Sequence, residues 1–293
     1  MVQFKNDVVT VFESSLFRTT SSVIHTPDLL LLVDPNWLPH EVEAIRQWVN
    51  FCNIDRKPVF LLFTHSDYDH ILGYGAFPEA VVIASESFDK NNGKESVVEQ
   101  IMKWDDEYYV RRNYPIEYPK VDIIISEDGQ HLSQGATRLT FYLAPGHNED
   151  GIFTVVESNW QTGLTGEKNQ PAIWIAGDYL SNVEFPYIYY NSFAYERTLS
   201  KVDHILEKHD IGLLIPGHGD VALQQHEIKR RQEESCQYIR TLRKCQQEGL
   251  HFPLGKLWER YPYRRGMESF HEENIQIIRN ELRYWVNPPA LKT

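Results

Sequence analysis

Two histidines and two aspartates crowd the end of the stretch Val59-Phe60-Leu61-Leu62-Phe63-Thr64-His65-Ser66-Asp67-Tyr68-Asp69-His70. The apolar run before them is typical of a buried strand, and four potential ligands at its end suit a metal site better than a core. In an extended segment His65 and Asp67 point to the same side, whereas Asp69 and His70 diverge only where the chain turns. One loop could therefore offer ligand pairs to two cations. The alternative is a polar turn in which Asp69 caps a short helix.

Other parts of the chain repeat this junction of apolar run and turn. Residues 139–143 lead into Pro145-Gly146-His147, residues 173–176 into Gly177-Asp178, and residues 213–215 into Pro216-Gly217-His218. An earlier junction, residues 29–33, ends at Asp34. Glycine lets the backbone turn sharply or approach a ligand closely at such points. The recurrence favours the metal interpretation of the first stretch.

Together these junctions resemble the five motifs of the metallo-β-lactamase-fold hydrolase superfamily. That pattern is Asp, then His-x-His-x-Asp-His, then His, Asp and His, each at a strand end. The resemblance covers residues 8–220. It implies an α/β (α+β) fold, a four-layer αβ/βα sandwich with a metal site at one edge of two packed sheets.

Carried over residue by residue, the resemblance implies two metal sites. The ligands of site one would be His65, Asp67 and His147. The ligands of site two would be Asp69, His70 and His218. Asp178 would bridge the two metals.

The sequence departs from the superfamily pattern at Asp67, where a second histidine is usual. An acidic residue there is similar to the diiron flavoproteins of the superfamily, which carry glutamate. A carboxylate is a harder ligand than imidazole and adds negative charge, which makes iron or manganese more plausible. The resemblance implies two divalent metal ions, zinc in the first place, with iron or manganese as alternatives.

The function that the resemblance implies is metal-dependent hydrolysis of a small ester, lactone, thioester or phosphoester. Two cations about 3.5–4 Å apart would hold a hydroxide between them, and Asp69 would orient it and pass its proton to the leaving group. Ligating imidazoles need a hydrogen-bond acceptor for their second nitrogen, so Thr64, Asp34 and Asp220 are expected to support the ligands. A plainer interpretation makes Asp34 and Asp220 turn residues.

Three rival functions remain open. They are a non-hydrolytic diiron protein related to the diiron flavoproteins, a nuclease-type member, and a metal-binding interaction protein without catalysis. The segment after His218 is predicted to be helical and lacks a strand-and-glycine phosphate loop, which counts against flavin-linked reduction. The net charge of 29 minus 41, or −12, argues against a nucleic-acid substrate.

Composition indicates a soluble globular protein, with 42% hydrophobic and 24% charged residues. No apolar run approaches the ~20 residues that span a bilayer. The amino terminus lacks the order of a signal peptide. We therefore expect a cytoplasmic protein that has a small-molecule substrate and does not associate with membranes.

We expect one domain over residues 1–293, with a helical insertion over 85–120 and a C-terminal helical extension over 221–293. The segment after Asp178 is rich in tyrosine, and Tyr179, Tyr187 and Tyr190 are candidates for a substrate wall, since tyrosine combines apolar area with a hydroxyl group. The same tyrosines could instead form a homodimer contact.

Overall fold

The computed structural model describes residues 1–159 and 171–286, with side chains described as far as Arg283 in the last helix. Two β-sheets pack face to face, and helices cover the outer face of each. This is the four-layer αβ/βα sandwich that the sequence predicts.

The first sheet has seven strands in chain order. They are β1 (Val2–Lys5), β2 (Val9–Glu13), β3 (Thr20–His25), β4 (Leu30–Val33), β5 (Val59–Leu62), β6 (Val81–Ser85) and β7 (Ile123–Ile125). The strands from β1 to β4 pair antiparallel and those from β4 to β7 pair parallel. Parallel pairing brings the carboxyl ends of β4 and β5, and hence Asp34 and the 64–70 loop, to the same edge.

The second sheet has five strands in the order β12-β11-β10-β9-β8. They are β8 (His131–Gln134), β9 (Thr137–Leu143), β10 (Ile152–Glu157), β11 (Ala172–Gly177) and β12 (Ile211–Pro216). Strand β12 is parallel to β11, and both β9 and β11 are antiparallel to β10. The carboxyl ends of β9, β11 and β12 therefore also share one edge.

Helices of different lengths and a 3₁₀ turn at Tyr74–Ala76 accompany the strands. The helices are α1 (Pro39–Cys52), α2 (Tyr68–Ile71), α3 (Glu86–Asp89), α4 (Lys94–Glu107), α5 (Ser192–Lys208), α6 (Gln225–Glu248), α7 (Leu254–Arg260) and α8 (Arg264–Val286). Helices α3 and α4 lie within the predicted insertion. Helices α6, α7 and α8 lie within residues 221–293, of which residues 287–293 lie outside the described residues.

Alternation along the apolar strands builds the layers. In β4, Leu31 and Val33 face the second sheet, while Leu30 and Leu32 face α1. In β11 the same alternation sends Ile173 and Ile175 between the sheets and Trp174 towards the helices on the other side. A continuous apolar run is what a strand needs when both of its faces are buried.

The C-terminal helices belong to the outer layer of the second sheet. Ile239 and Leu242 of α6 and Ile278 of α8 are fully buried in one cluster with Trp174 of β11 and Val202 of α5. No helix within residues 1–159 and 171–286 is long and apolar enough to cross a bilayer.

Candidate metal centre

The candidate centre lies where loops from both sheets meet. Loops after β4 and β5 come from the first sheet, and loops after β9, β11 and β12 come from the second. The backbone N–H of Thr20 in β3 donates to the carbonyl of Gly217 at 2.7 Å and joins the two sheets at this edge. Neither sheet alone supplies every candidate ligand.

Two glycines of these loops permit close backbone approaches. Gly177 has a φ of +52°, a conformation that disfavours side chains, and it turns the chain into Asp178. A Cβ at Gly217 would lie 2.2 Å from Oδ1 of Asp178. The loop that carries His218 can therefore pass close to the Asp178 carboxylate only because residue 217 is glycine.

The structure brings all seven predicted ligands together in two adjacent groups, each of whose ligand atoms lie within 4.8 Å of one another. Group one consists of His65, Asp67, His147 and Asp178. Group two consists of Asp69, His70 and His218. The Asp178 carboxylate lies between the groups, with Oδ2 3.3 Å from Nε2 of His147 and Oδ1 3.1 Å from Nε2 of His70.

The spacing of these atoms fits metal coordination. Ligand atoms about 2.0–2.2 Å from a tetrahedral metal are about 3.3–3.6 Å apart. Nε2 of His65 lies 3.6 Å from Oδ2 of both Asp67 and Asp178, and Nε2 of His218 lies 3.4 Å from Oδ2 of Asp178. Nε2 of His147 and Oδ2 of Asp67 lie closer, 3.0 Å apart, which is a hydrogen-bond distance.

Three atoms of the centre have no hydrogen-bond partner among the described residues although they are buried. They are Nε2 of His65, Nε2 of His70 and Oδ1 of Asp178; the last two atoms lie 3.1 Å apart but are not aligned for a hydrogen bond. Buried polar atoms nearly always have a hydrogen-bond partner in proteins, so three unsatisfied polar atoms in one place need an explanation. Cations bound between the two groups would satisfy all three.

Asp34 and Thr64 orient two of the imidazoles. Nδ1 of His70 donates to Oδ2 of Asp34 at 3.0 Å, and the Thr64 hydroxyl donates to the same oxygen at 2.6 Å. Nδ1 of His65 lies 2.9 Å from the Thr64 hydroxyl oxygen, which can accept its proton. With each proton on Nδ1, both Nε2 lone pairs face the centre.

Backbone carbonyls orient the other two imidazoles. Nδ1 of His147 donates to the carbonyl of Tyr187 at 2.8 Å, and Nδ1 of His218 donates to the carbonyl of Phe17 at 2.9 Å. A carbonyl oxygen can only accept, so Nδ1 carries a proton in both histidines. All four imidazoles therefore present Nε2 to the centre.

Asp220 does not contact a candidate ligand, in contrast to the prediction that it supports one. Its carboxylate accepts from Arg18 at 2.5 Å and from the side-chain amide of Asn182 at 2.8 Å, and it is half-exposed. The glycine turn after His218 directs Asp220 away from the imidazole. Phe17 supplies the acceptor for His218 instead.

Asp67 is held by a residue that the sequence analysis missed. The side-chain amide of Asn148, directly after His147, donates to Oδ1 of Asp67 at 2.5 Å. This leaves Oδ2 free to face His65 and His147. A polar residue next to a ligand histidine is the one signal in the sequence that could have pointed to Asn148.

Neighbouring charges shift the pKa values of the centre in the direction opposite to the effect of burial. Burial lowers the pKa of His147, but the hydrogen bond and charge of Asp67 outweigh it and raise the pKa to about 9. Burial also lowers the pKa of His218, while the nearby Glu184 and Asp178 carboxylates raise it to about 10. Burial raises the pKa of Asp178, yet the charges of His218 and His70 hold it well below its usual range. Positive charge on the imidazoles thus stabilises the buried Asp178 carboxylate in the metal-free protein, and bound cations would supply that positive charge in its place.

A cavity of about 820 Å³ opens over the centre. Asp69, which is nearly buried, and the exposed Tyr190 line it, as does Tyr187, whose ring stacks on Phe270 with centroids 4.3 Å apart. Tyr179 does not lie on this wall, in contrast to the prediction. Its buried hydroxyl accepts from the backbone N–H of His147 at 3.0 Å and donates to the carbonyl of Ala144 at 3.1 Å, so it supports the His147 loop.

Glu184 is a second residue of this site that the sequence analysis missed. It lines the cavity, and its Oε1 lies 3.9 Å from Nδ1 of His218. Burial raises the pKa of its carboxyl group to about 7. Glu184 follows no strand and belongs to no motif, so nothing in the sequence marked it.

No family model and no curated protein matches this chain. Solved structures do match. A metallo-β-lactamase from Cronobacter sakazakii, solved as a mutant of its HARLDQ motif, is 17% identical with a TM-score of 0.55; the match covers 82% of this chain and 95% of that one. A B3 metallo-β-lactamase with an active-site glutamic acid is 20% identical with a TM-score of 0.51, over 78% of this chain and 85% of that one.

A sec-alkyl sulfatase, solved as a double mutant, is 13% identical with a TM-score of 0.59, and the match covers 84% of this chain and 42% of the sulfatase. This chain has the metallo-β-lactamase fold. The fold prediction is thereby confirmed. At identities of 13–20% the shared feature is the fold of these proteins.

Proposed function

We propose that this protein is a metal-dependent hydrolase that acts on a small ester, lactone, thioester or phosphoester with two divalent cations. The observation that carries the proposal is the convergence of four imidazole Nε2 atoms and three carboxylates at a cavity, with three buried atoms left without a protein partner in the described chain. Bound divalent cations would act as Lewis acids and lower the pKa of water, which makes a nucleophile available near neutral pH.

The side chains of groups one and two have separable tasks in this proposal. The imidazoles, fixed by Thr64, Asp34 and two backbone carbonyls, would hold the cations at constant geometry. Asp69 lines the cavity, with Oδ2 3.5 Å from Nε2 of His218. Oδ2 of Asp69 would take up the proton that the attacking water releases and return it to the leaving group.

A non-hydrolytic diiron protein is the second candidate, and Asp67 is the observation that favours it, since a carboxylate suits iron. Among the similar structures, however, is a metallo-β-lactamase described as having an active-site glutamic acid. An acidic residue in the active site is therefore compatible with lactam hydrolysis in that protein, and we infer that Asp67 is compatible with hydrolysis here. Elemental analysis of the purified protein, with an optical spectrum for iron, distinguishes the two candidates.

The test of the hydrolase proposal combines metal content with a substrate panel. We expect Asp178→Ala and His218→Ala to lose bound metal and to lower kcat/KM by at least about 100-fold on a panel of p-nitrophenyl esters, phosphodiesters and lactones. His226→Ala, an exposed histidine on α6, is the matched control and should behave as wild type. Full metal stoichiometry in both ligand variants would refute the ligand assignment, and no turnover of any panel member by metal-loaded wild type would refute hydrolysis.

A further inference from the structure

The charge of the cavity wall narrows the substrate class. Outside groups one and two, the acidic residues that line the cavity are Glu86, Glu149, Asp150 and Glu184. Among the described lining residues, Lys90 is the one lysine or arginine. Its Nζ pairs with Glu86 at 2.7 Å, so Lys90 and Glu86 together add no net charge to the wall. The other charged lining residues outside groups one and two, Glu149, Asp150 and Glu184, are all acidic within the described chain.

Three carboxylates of the wall form no ion pair with a lysine or arginine in the part of the chain that the structure describes. Glu149 is exposed in the loop that follows His147, Asp150 is buried next to it, and Glu184 lies beside the candidate ligand His218. An anion placed near them would meet repulsion that no unpaired lysine or arginine of the wall offsets, whereas a cation would meet attraction.

The aromatic rim reinforces this preference. Phe17, Tyr189 and Tyr190 are exposed at the cavity, which Tyr187 and Phe270 also line. The faces of aromatic rings attract ammonium groups and accept uncharged apolar groups, but they do not attract anions.

The metal centre does not reverse the charge balance of the wall. Two divalent cations would bring four positive charges against the three carboxylates of Asp67, Asp69 and Asp178, which leaves one positive charge. That charge would face the reacting group of a substrate, and the part of the substrate away from the scissile bond would contact the acidic and aromatic wall.

Building on the hydrolase proposed above, we propose that the cavity selects substrates whose group away from the scissile bond is uncharged or cationic and rejects those in which it is anionic. Uncharged or cationic esters and lactones belong to this class. Phosphate-rich acyl carriers and nucleotides do not.

Binding tests the charge preference without turnover. Three hydroxamic acids with tails of similar length serve as probes: butyrohydroxamic acid, the monohydroxamate of succinic acid, and 4-(trimethylammonio)butyrohydroxamic acid. With zinc-loaded protein at pH 8.5, calorimetry should show at least tenfold weaker binding of the succinate probe than of the other two. Added salt should narrow that gap because it screens repulsion. Equal or tighter binding of the succinate probe would overturn the proposal, as would failure of both other probes to bind, since the cavity must accept them.

Variants locate the preference in the wall. Glu149→Gln and Glu184→Gln combined should reduce the discrimination against the succinate probe at least threefold with unchanged zinc content. Glu43→Gln is the matched control, because Glu43 is on α1 and does not line the cavity. If the double variant discriminates like wild type, the wall carboxylates do not cause the selectivity and the proposal fails.

Turnover of the matching p-nitrophenyl esters separates this inference from the hydrolase proposal. The expected order of kcat/KM is cationic and neutral esters above the anionic ester. If the hydroxamic acids bind in the expected order but no ester is cleaved, the hydrolase proposal fails and the charge preference stands. Cleavage of all three esters at similar rates would refute the charge preference and support hydrolysis.

Discussion

At the scale of single residues, Asp67 distinguishes this centre from the pattern it resembles. Its Oδ2 lies 3.0 Å from Nε2 of His147, and Asn148 fixes its other oxygen. Replacing an imidazole by a carboxylate changes the hardness of the ligand and adds one negative charge. The position is therefore suited to selecting the metal.

Substitution of Asp67 should alter one site and leave the other. We expect Asp67→Ala to weaken one of two metal-binding events by at least about tenfold, because Asp69, His70 and His218 remain as ligands. Asp67→His should keep two binding events and shift preference towards zinc, since imidazole suits zinc. Titration of zinc and manganese into chelator-treated protein measures both. Two equivalents bound by Asp67→Ala as tightly as by wild type would exclude Asp67 as a ligand; Asn148→Ala, which only loosens Asp67, should show a smaller loss.

At the scale of elements, α8 reaches the centre through a chain of hydrogen bonds. Asn274 is fully buried; its side-chain oxygen accepts from the backbone N–H of Ile188 at 2.7 Å, and its amide donates to the carbonyl of Pro186 at 2.7 Å. It thereby fixes the carbonyl of Tyr187 between them, which orients His147. The C-terminal extension thus contributes to the position of a candidate ligand.

Loss of the Asn274 hydrogen bonds should weaken metal binding although Asn274 is not itself a candidate ligand. We expect Asn274→Leu to lower the affinity of the site that contains His147 by about 10-fold to 100-fold, the usual effect of disturbing the support of a ligand. Gln276→Leu, an exposed change on the same helix, is the control. If Asn274→Leu fails to fold, Asn274→Asp, which keeps the acceptor and loses the donor, takes its place. Unchanged affinity in a folded Asn274 variant would show that α8 does not position His147.

The sequence predicts which segments form strands and which residues are candidate ligands better than it predicts where each side chain points. Apolar runs that end in ligand residues identify β4, β5, β9, β11 and β12, because burial on both faces demands such runs. Strand β1 is short and partly exposed and gives no such signal. Their short distance along the chain from a ligand predicts that Tyr179 and Asp220 belong to the site, but Tyr179 supports the His147 loop and Asp220 binds Arg18 and Asn182 instead. The carbonyls of Phe17 and Tyr187 could not be predicted, since any residue carries a backbone carbonyl.

At the scale of the whole molecule, the centre joins the two halves of the sandwich. The first sheet supplies His65, Asp67, Asp69 and His70, and the second supplies His147, Asp178 and His218. Bound cations would therefore cross-link the sheets through side chains, in addition to the apolar layer between them. A ligand that binds only the folded state stabilises it by mass action.

The effect of metal on stability should grow with pH. In chelator-treated protein the folded-state pKa values of His147 and His218, about 9 and about 10, lie above the ordinary value of 6.5. Their contribution to stability is therefore complete below pH 6.5 and is lost as pH rises through 9 and 10. Metal binding needs unprotonated Nε2, so zinc affinity increases over the same range. We expect the Tm of metal-free protein to fall between pH 6.5 and 9.5 and the rise in Tm on adding zinc to become larger, as scanning calorimetry at four pH values would measure. If the histidines are held as imidazolium–carboxylate pairs, His147→Ala should make the Tm of metal-free protein depend less on pH. A Tm of metal-free wild type that stays constant or rises over this range would mean that no such pairs form.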